Sequence, residues 1–128
     1  MIGLRNPDKF KSISAFSPIV APTQTPWGQK AFNGYLSSNQ QEWKQYDATE
    51  LIKSGHASAN EILIDQGMAD QFLSKELKPE LFEQACSDAK QALKVRRHAG
   101  YDHSYFFIAT FMQDHIKHHA NILNVARV

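Results

Sequence analysis

A short apolar run at residues 61–67 constrains the fold of this chain more than any other segment. The sequence there is EILIDQG, in which three consecutive branched apolar residues lead into a polar turn that ends in glycine. A continuous apolar run of this length, closed by a turn signal, is typical of a strand buried within a parallel sheet. The segment therefore predicts a layered architecture in which helices cover the sheet.

The other predicted elements alternate around this strand. They are a helix end at 2–5, a strand with its core at 13–16, short helices near 28–36 and 47–54, a helix over 79–93, a strand over 94–98 and a last helix over about 104–123. Asp47, with Glu50 three residues on, is predicted to cap the second short helix. The last helix is expected to pack through the apolar positions Ile108, Met112, Ile116, Ala120 and Leu123. This order favours an α/β fold with a mostly parallel sheet.

Domain organisation follows from the same order of elements. Residues 1–128 are expected to form part of a single α/β domain, because the chain opens on the end of a helix at residues 2–5. We expect the N-terminal part of that domain to be absent, leaving the strand near residues 12–17 without a neighbour. An open sheet edge of this kind predicts pairing with the missing half or formation of a homodimer.

Composition excludes several classes of protein. Hydrophobic residues make up 42% and charged residues 21% of the 128 residues, which indicates a globular chain. The net charge is +1 and the basic residues are scattered, so no nucleic-acid or membrane partner is predicted. No apolar run reaches transmembrane length. Cys86 is the only cysteine, which favours a reducing, cytoplasmic compartment.

An acid and a histidine follow the last two predicted strands. Asp70 lies after the strand at 61–67, and His103 lies after the strand at 94–98. Functional groups of open α/β sheets gather beyond the carboxyl ends of the strands, and the order acid then histidine matches the end of the Ser–Asp–His order of hydrolases. In such a triad the histidine moves the proton of a serine hydroxyl while the acid orients the ring. By pattern alone, the favoured interpretation is that both are ordinary loop residues, because aspartate and histidine are common in loops.

Five strings carry a specific resemblance over nearly the whole chain. They are PWGQKAFNGYL (26–36), YDATEL (46–51), ILIDQGMADQFL (62–73), GYDHSYFFIATF (100–111) and DHIKHHA (114–120). Together they resemble S-formylglutathione hydrolase, the esterase D family. The resemblance implies an α/β-hydrolase that cleaves the thioester S-formylglutathione to glutathione and formate in formaldehyde detoxification, with a small-molecule substrate and no cofactor.

The resemblance also assigns roles to individual residues. The family's catalytic aspartate falls on Asp70, and its catalytic histidine falls on His103. Asp65 is then interpreted as a strand-end residue that holds its loop, and Asp102 as a neighbour that orients the histidine loop. Ser104, adjacent to His103, is predicted to cap the last helix.

The chain departs from the family in one respect. The family's nucleophile motif, G-x-S-x-G, surrounds none of the ten serines. The resemblance implies that the motif should lie just upstream of residues 2–7, so this chain alone is expected to be a very poor esterase. A catalytically inactive remnant and a related general carboxylesterase stay open as alternatives.

Four further groups of side chains have candidate roles. Trp27 is a candidate substrate contact, because it follows a strand end where hydrolases place a cap. His115, His118 and His119 suggest a metal site, but no third-ligand pattern accompanies them, so a solvated or helix-end role is predicted and no metal. Cys86 is predicted to be a small, semi-buried side chain rather than a nucleophile. Phe106, Phe107 and Phe111 are interpreted as helix packing.

Overall fold

Three parallel strands form the centre of the chain. The computed structural model describes residues 1–125. Strands β1 (Ser14–Phe16), β2 (Ile62–Gly67) and β3 (Leu93–His98) pair in the order β1-β2-β3. Every residue of β2 is buried, as its apolar run predicts, and β1 and β3 form the two edges of the described sheet.

Six α-helices and three shorter helical turns surround the described sheet. The α-helices are α1 (Ile2–Arg5), α2 (Pro26–Tyr35), α3 (Gln40–Trp43), α4 (Ala48–Lys53), α5 (Pro79–Ala89) and α6 (Tyr105–Val125). Pro22–Gln24 and Lys44–Tyr46 form 3₁₀ turns, and Leu73–Leu77 forms a π-helical turn. The cap predicted for α4 is present, since the Asp47 carboxylate accepts the Glu50 N–H at 3.0 Å. Neither α3 nor the π-helical turn has an apolar period long enough to predict it from the sequence.

The two faces of β2 are chemically different. Ile62 and Ile64 belong to one apolar core with residues of α1, α4 and α5, including Leu4, Ile52 and Phe82. Because side chains alternate along a strand, Asp65 points to the opposite face. There it is hydrogen-bonded to a residue of α6. The sheet is therefore apolar on one side and carries buried polar groups beneath α6.

Helix α5 ends four residues earlier than predicted. Lys90 adopts a left-handed conformation with φ of 58° and stops the helix after Ala89. Leu93, which was predicted to lie in the helix, instead begins β3 opposite Ile62. The apolar spacing misled the prediction because a core-facing strand residue can continue a helical pattern by chance.

The buried face of α6 also differs from the prediction. Met112, Ile116 and Leu123 are 41%, 61% and 48% exposed, whereas Phe107 and His115 are buried. The helix docks on the polar side of the sheet, and this docking buries a histidine in place of the predicted apolar stripe. None of the helices in residues 1–125 is both long and apolar enough to cross a membrane.

Candidate active site

The loops that follow β2 and β3 are joined through their main chains. The N–H of Met68 donates to the carbonyl of His98, and the N–H of Ala69 donates to the carbonyl of Tyr101, both at 2.9 Å. Gly67 lies in this contact, where an added Cβ would approach the Tyr101 carbonyl oxygen to 2.3 Å. A side chain at position 67 would therefore push the two loops apart.

The contact between the loops brings Asp70 and His103 together. His103 Nδ1 lies 2.7 Å from Asp70 Oδ2, with the aspartate side chain fully buried and the histidine side chain 40% exposed. If Nδ1 carries the hydrogen that the carboxylate accepts, Nε2 of the neutral ring is left free to accept a proton. The arrangement is suited to a general base whose tautomer is held by an acid.

Two further groups hold the Asp70 carboxylate. The Phe72 N–H donates to Oδ1 at 2.8 Å, and the Gln66 side-chain amide donates to Oδ2 at 3.2 Å. Gln66 is fully buried at the penultimate position of β2. Gln66 is not among the candidate residues predicted from the sequence, although a polar residue inside a buried strand is a signal that could have revealed it.

A cavity opens beside His103. Its volume is about 360 Å³. It is lined by residues from the end of β1, the histidine loop and the start of α6: Phe16, Ser17, His103, Ser104, Tyr105, Phe107 and Ile108. His103 is the only titratable nitrogen base among these lining residues. Because its ring lines the cavity, a molecule bound there would contact it.

An aromatic wall made of Phe72 and Trp27 borders the site. The Phe72 ring meets His103 edge-on with ring centroids 5.3 Å apart, and Trp27 packs on Phe72 at 4.6 Å. The buried Glu76 carboxylate accepts the Trp27 main-chain N–H at 3.0 Å and so holds the start of α2 over the π-helical turn. Trp27 therefore lies one ring away from His103, with 45% of its surface exposed.

Asp65 binds different partners from those expected from its sequence context. Its side chain is fully buried, and it accepts hydrogen bonds from Arg96 at 2.6 Å, His98 at 2.9 Å and His115 at 2.7 Å. The carboxylate thus ties β3 and α6 to β2 and does not hold its own loop. The sequence around Asp65 could not reveal this, because all three partners lie 31 to 50 residues away.

The histidines of α6 are not solvated, contrary to the prediction. His115 Nδ1 lies 2.8 Å from Ser14 Oγ, and His119 bonds to Ser14 Oγ at 2.8 Å and to Ser12 Oγ at 2.6 Å. His118 is half-buried, and its Nε2 has no partner among the described residues. The prediction treated α6 as ending in solvent, but the helix crosses the polar face of the sheet.

The hydrogen-bond chain fixes the tautomers of these two histidines when both are neutral. Asp65 can only accept, so His115 donates through Nε2 and accepts the Ser14 hydroxyl at Nδ1. Ser14 oxygen then accepts from His119 Nε2, and His119 Nδ1 accepts the Ser12 hydroxyl. Each donor in this series of hydrogen bonds, from Ser12 to Asp65, has one acceptor.

Burial and charge shift the pKa values of the groups in this network. Burial lowers the pKa of His115, against the opposing effect of Asp65, and burial with the neighbouring histidines lowers the pKa of His119. Burial alone would raise the pKa of Asp65, but hydrogen bonds from Arg96, His98 and His115 outweigh it and lower that pKa. The shifts therefore favour an ionised Asp65 carboxylate and the neutral forms of His115 and His119.

The remaining candidates take no part in the hydrogen bonds that hold the Asp70–His103 pair. Asp102 is exposed and makes no side-chain hydrogen bond within the described residues, so the structure gives no support for its predicted orienting role. Ser104 precedes α6, and its main-chain carbonyl accepts the Ile108 N–H. Cys86 is fully buried rather than semi-buried, and burial raises the pKa of its thiol to about 12. Residues 1–125 contain no cluster of three or more side chains arranged to hold a metal ion.

Comparison with known proteins identifies the family. The family model Esterase ("Putative esterase") matches residues 1–118. The chain belongs to this esterase family. It is 55% identical over 122 residues to S-formylglutathione hydrolase of Rattus norvegicus and 53% identical over 124 residues to that of Arabidopsis thaliana. These matches cover 94% and 97% of the esterase chain but only 43% and 44% of the relatives.

A solved structure shows the same relationship in three dimensions. An S-formylglutathione hydrolase from Agrobacterium tumefaciens superposes with a TM-score of 0.92 at 50% identity, over 95% of the esterase chain and 44% of that protein. The predicted α/β-hydrolase fold is therefore confirmed. The esterase chain spans less than half the length of the relatives it matches.

Replacing Asp65 should destabilise the chain strongly. Asp65→Asn removes the buried charge that satisfies Arg96, so the free energy of unfolding should fall by about 3 kcal/mol or more. Urea denaturation followed by circular dichroism measures the change. Asp102→Asn, the same substitution at an exposed position, should stay within about 0.5 kcal/mol. Equal losses in both variants would contradict the assigned role of Asp65.

Stability should also fall on mild acidification. The pKa values of His115 and His119 are lowered from 6.5, so the unfolded chain binds more protons than the folded chain below that pH. The free energy of unfolding should therefore decrease between about pH 7 and about pH 5, well above the range in which Asp65 titrates.

Two variants test which groups cause this dependence of the free energy of unfolding on pH, measured as its slope between about pH 7 and about pH 5. His119→Gln should make it shallower, whereas His56→Gln, which replaces an exposed histidine, should leave it unchanged. A stability that rises on acidification, or a slope that His119→Gln does not alter, would contradict the assignment.

Proposed function

We propose that this chain is the part of an S-formylglutathione hydrolase that carries the acid and the base of its catalytic triad. The observation that carries the proposal is the 2.7 Å contact between His103 Nδ1 and the buried Asp70 carboxylate. This pair lies where two loops of an α/β-hydrolase sheet meet, in a chain 55% identical to a named S-formylglutathione hydrolase. The nucleophilic serine is supplied by residues outside these 128.

The proposed reaction uses His103 twice. Nε2 of His103 accepts the proton of the serine hydroxyl as the oxygen attacks the formyl carbon of the thioester. The carbon–sulfur bond then breaks, and the same nitrogen returns the proton to the departing sulfur, which releases glutathione. Water, activated in the same way, attacks the formyl-serine ester and releases formate. Asp70 keeps the ring in the Nδ1–H tautomer and stabilises the imidazolium.

The cavity beside His103 is the proposed position of the attacking serine. It lies between the end of β1 and the start of α6, and β1 forms an edge of the described sheet. A nucleophile-bearing strand paired with that edge would deliver its serine to the cavity that His103 lines. The proposed partner of β1 is therefore the remaining part of the hydrolase domain.

The aromatic wall is the proposed contact for the substrate's glutathione moiety. Trp27 lies one ring beyond Phe72 from His103, too far to touch the reacting carbon but close enough to contact a leaving group that extends from it. Its exposed face is available because the Glu76 carboxylate holds only its main chain. A cytoplasmic location, expected from the single cysteine, completes the proposal.

A hybrid enzyme tests the assignment of the pair. The part of the Agrobacterium tumefaciens relative that precedes its match to this chain is fused before residue 1, and hydrolysis of S-formylglutathione is measured. The hybrid should be active, and Asp70→Asn should lower kcat by about 10⁴-fold, because the tautomer of His103 is no longer held. His103→Ala should lower kcat by about 10⁶-fold.

Matched substitutions separate the possible failures of this test. Asp102→Asn, one residue from His103 and exposed, should leave kcat unchanged. An active hybrid that tolerates Asp70→Asn would overturn the assignment of Asp70. A hybrid that cleaves simple acyl esters but not S-formylglutathione would instead identify a general carboxylesterase.

The Trp27 contact predicts a change in KM. In the same hybrid, Trp27→Leu should raise KM for S-formylglutathione about tenfold, because an aromatic contact with the leaving group is lost, and should leave kcat nearly unchanged. Tyr35→Leu, at an 89% exposed aromatic position of the same helix, is the control and should change neither constant. An unaltered KM in Trp27→Leu would show that Trp27 does not contact the substrate.

A further inference from the structure

Gln66 is a buried amide whose donors are both used and whose acceptor is not. The side chain is fully buried at the end of β2. Its Nε2 donates to the Gly67 carbonyl at 3.0 Å and to Asp70 Oδ2 at 3.2 Å. Its Oε1 is buried and has no partner among the described residues. An apolar side chain of similar length would avoid the cost of burying this oxygen.

The orientation of the amide follows from its neighbours. Exchanging oxygen and nitrogen would bring Oε1 against the Gly67 carbonyl and Asp70 Oδ2, so that three acceptors would face each other. The two donated hydrogen bonds are therefore the only favourable polar use of this side chain in its present position. One of them goes to the oxygen that faces His103.

We propose that Gln66 is a positioning residue that holds Asp70 Oδ2 in line with His103 Nδ1, an inference that rests on the proposed function. The Phe72 N–H anchors Oδ1, and the Gln66 amide anchors Oδ2 from a second direction. Rotation of the carboxylate about its Cβ–Cγ bond would break both of these hydrogen bonds. Without Gln66, Oδ2 keeps the His103 hydrogen bond alone, and the Nδ1–H tautomer of the ring is held less firmly.

Nuclear magnetic resonance of the chain tests this directly. At alkaline pH, where the imidazole is neutral, the ¹⁵N shifts of the His103 ring report which nitrogen carries the hydrogen. Gln66→Met removes both donors and keeps the length of the side chain, so the Nε2–H tautomer should increase. Gln66→Glu keeps the shape of the side chain but replaces the donor by a second carboxylate. It should also increase the fraction of the Nε2–H tautomer.

The matched control is Gln71→Met. Gln71 is exposed in the same loop and makes no side-chain hydrogen bond within the described residues, so its replacement should leave the His103 ring unchanged. Backbone amide spectra of all three variants establish that β2 is intact. A tautomer ratio equal to that of the unsubstituted chain in both Gln66 variants would overturn the proposal. A change in Gln66→Met alone would assign the effect to packing and would overturn it as well.

Kinetics of the hybrid enzyme supply an independent readout. Gln66→Met should lower kcat about 10- to 100-fold, the loss expected from a small misplacement of catalytic groups, and should leave KM unchanged. A hybrid that is active and sensitive to Asp70→Asn but indifferent to Gln66→Met contradicts the role of Gln66 only. A hybrid indifferent to Asp70→Asn contradicts the proposed function itself, so the two failures are distinguishable.

Discussion

The arrangement of the site depends on one buried carboxylate, Asp65. A charged group with no solvent contact is tolerated only when its hydrogen-bonding capacity is filled, and Arg96, His98 and His115 fill it from β3 and α6. Because α6 begins two residues after His103, the bond from His115 to Asp65 fixes the helix that follows the proposed base. The side chains that position the chemistry are thus spread over three elements.

A second set of polar contacts joins α6 to β1. His115 and His119 lie over Ser14, and His119 also reaches Ser12 just before β1, so hydrogen bonds attach α6 to the edge strand. They add to the packing of the Phe16 ring against Phe107 and His115. Directional bonds specify one register between a helix and a sheet, whereas apolar surfaces tolerate several. The cost of this specificity is sensitivity to protons, since both imidazoles are held neutral by burial.

Local patterns predicted the elements of this fold well and their long-range partners poorly. The apolar run of β2, the Asp47 cap and the placement of Asp70 and His103 after neighbouring strands depend on short segments whose physics is local. The burial of His115 and the several hydrogen bonds of Asp65 do not, because they arise from pairs that lie between 31 and 101 residues apart in sequence. The stripe of Met112 and Ile116 was assigned to the core because periodicity reports amphipathicity and cannot tell which face of a helix meets the sheet.

The distance between Asp70 and His103 depends on the main-chain contact of the two loops at Gly67, and not on the side chains that surround the pair. The two loops are joined by main-chain hydrogen bonds, and Phe72 also reaches Asp70 through its N–H, a group that every residue except proline carries. Side chains at positions 27 and 72 can therefore vary in size and polarity without removing the main-chain hydrogen bonds that hold the two loops together. The spacing of Asp70 and His103 and the shape of the aromatic wall beside them are, in this architecture, independently adjustable properties.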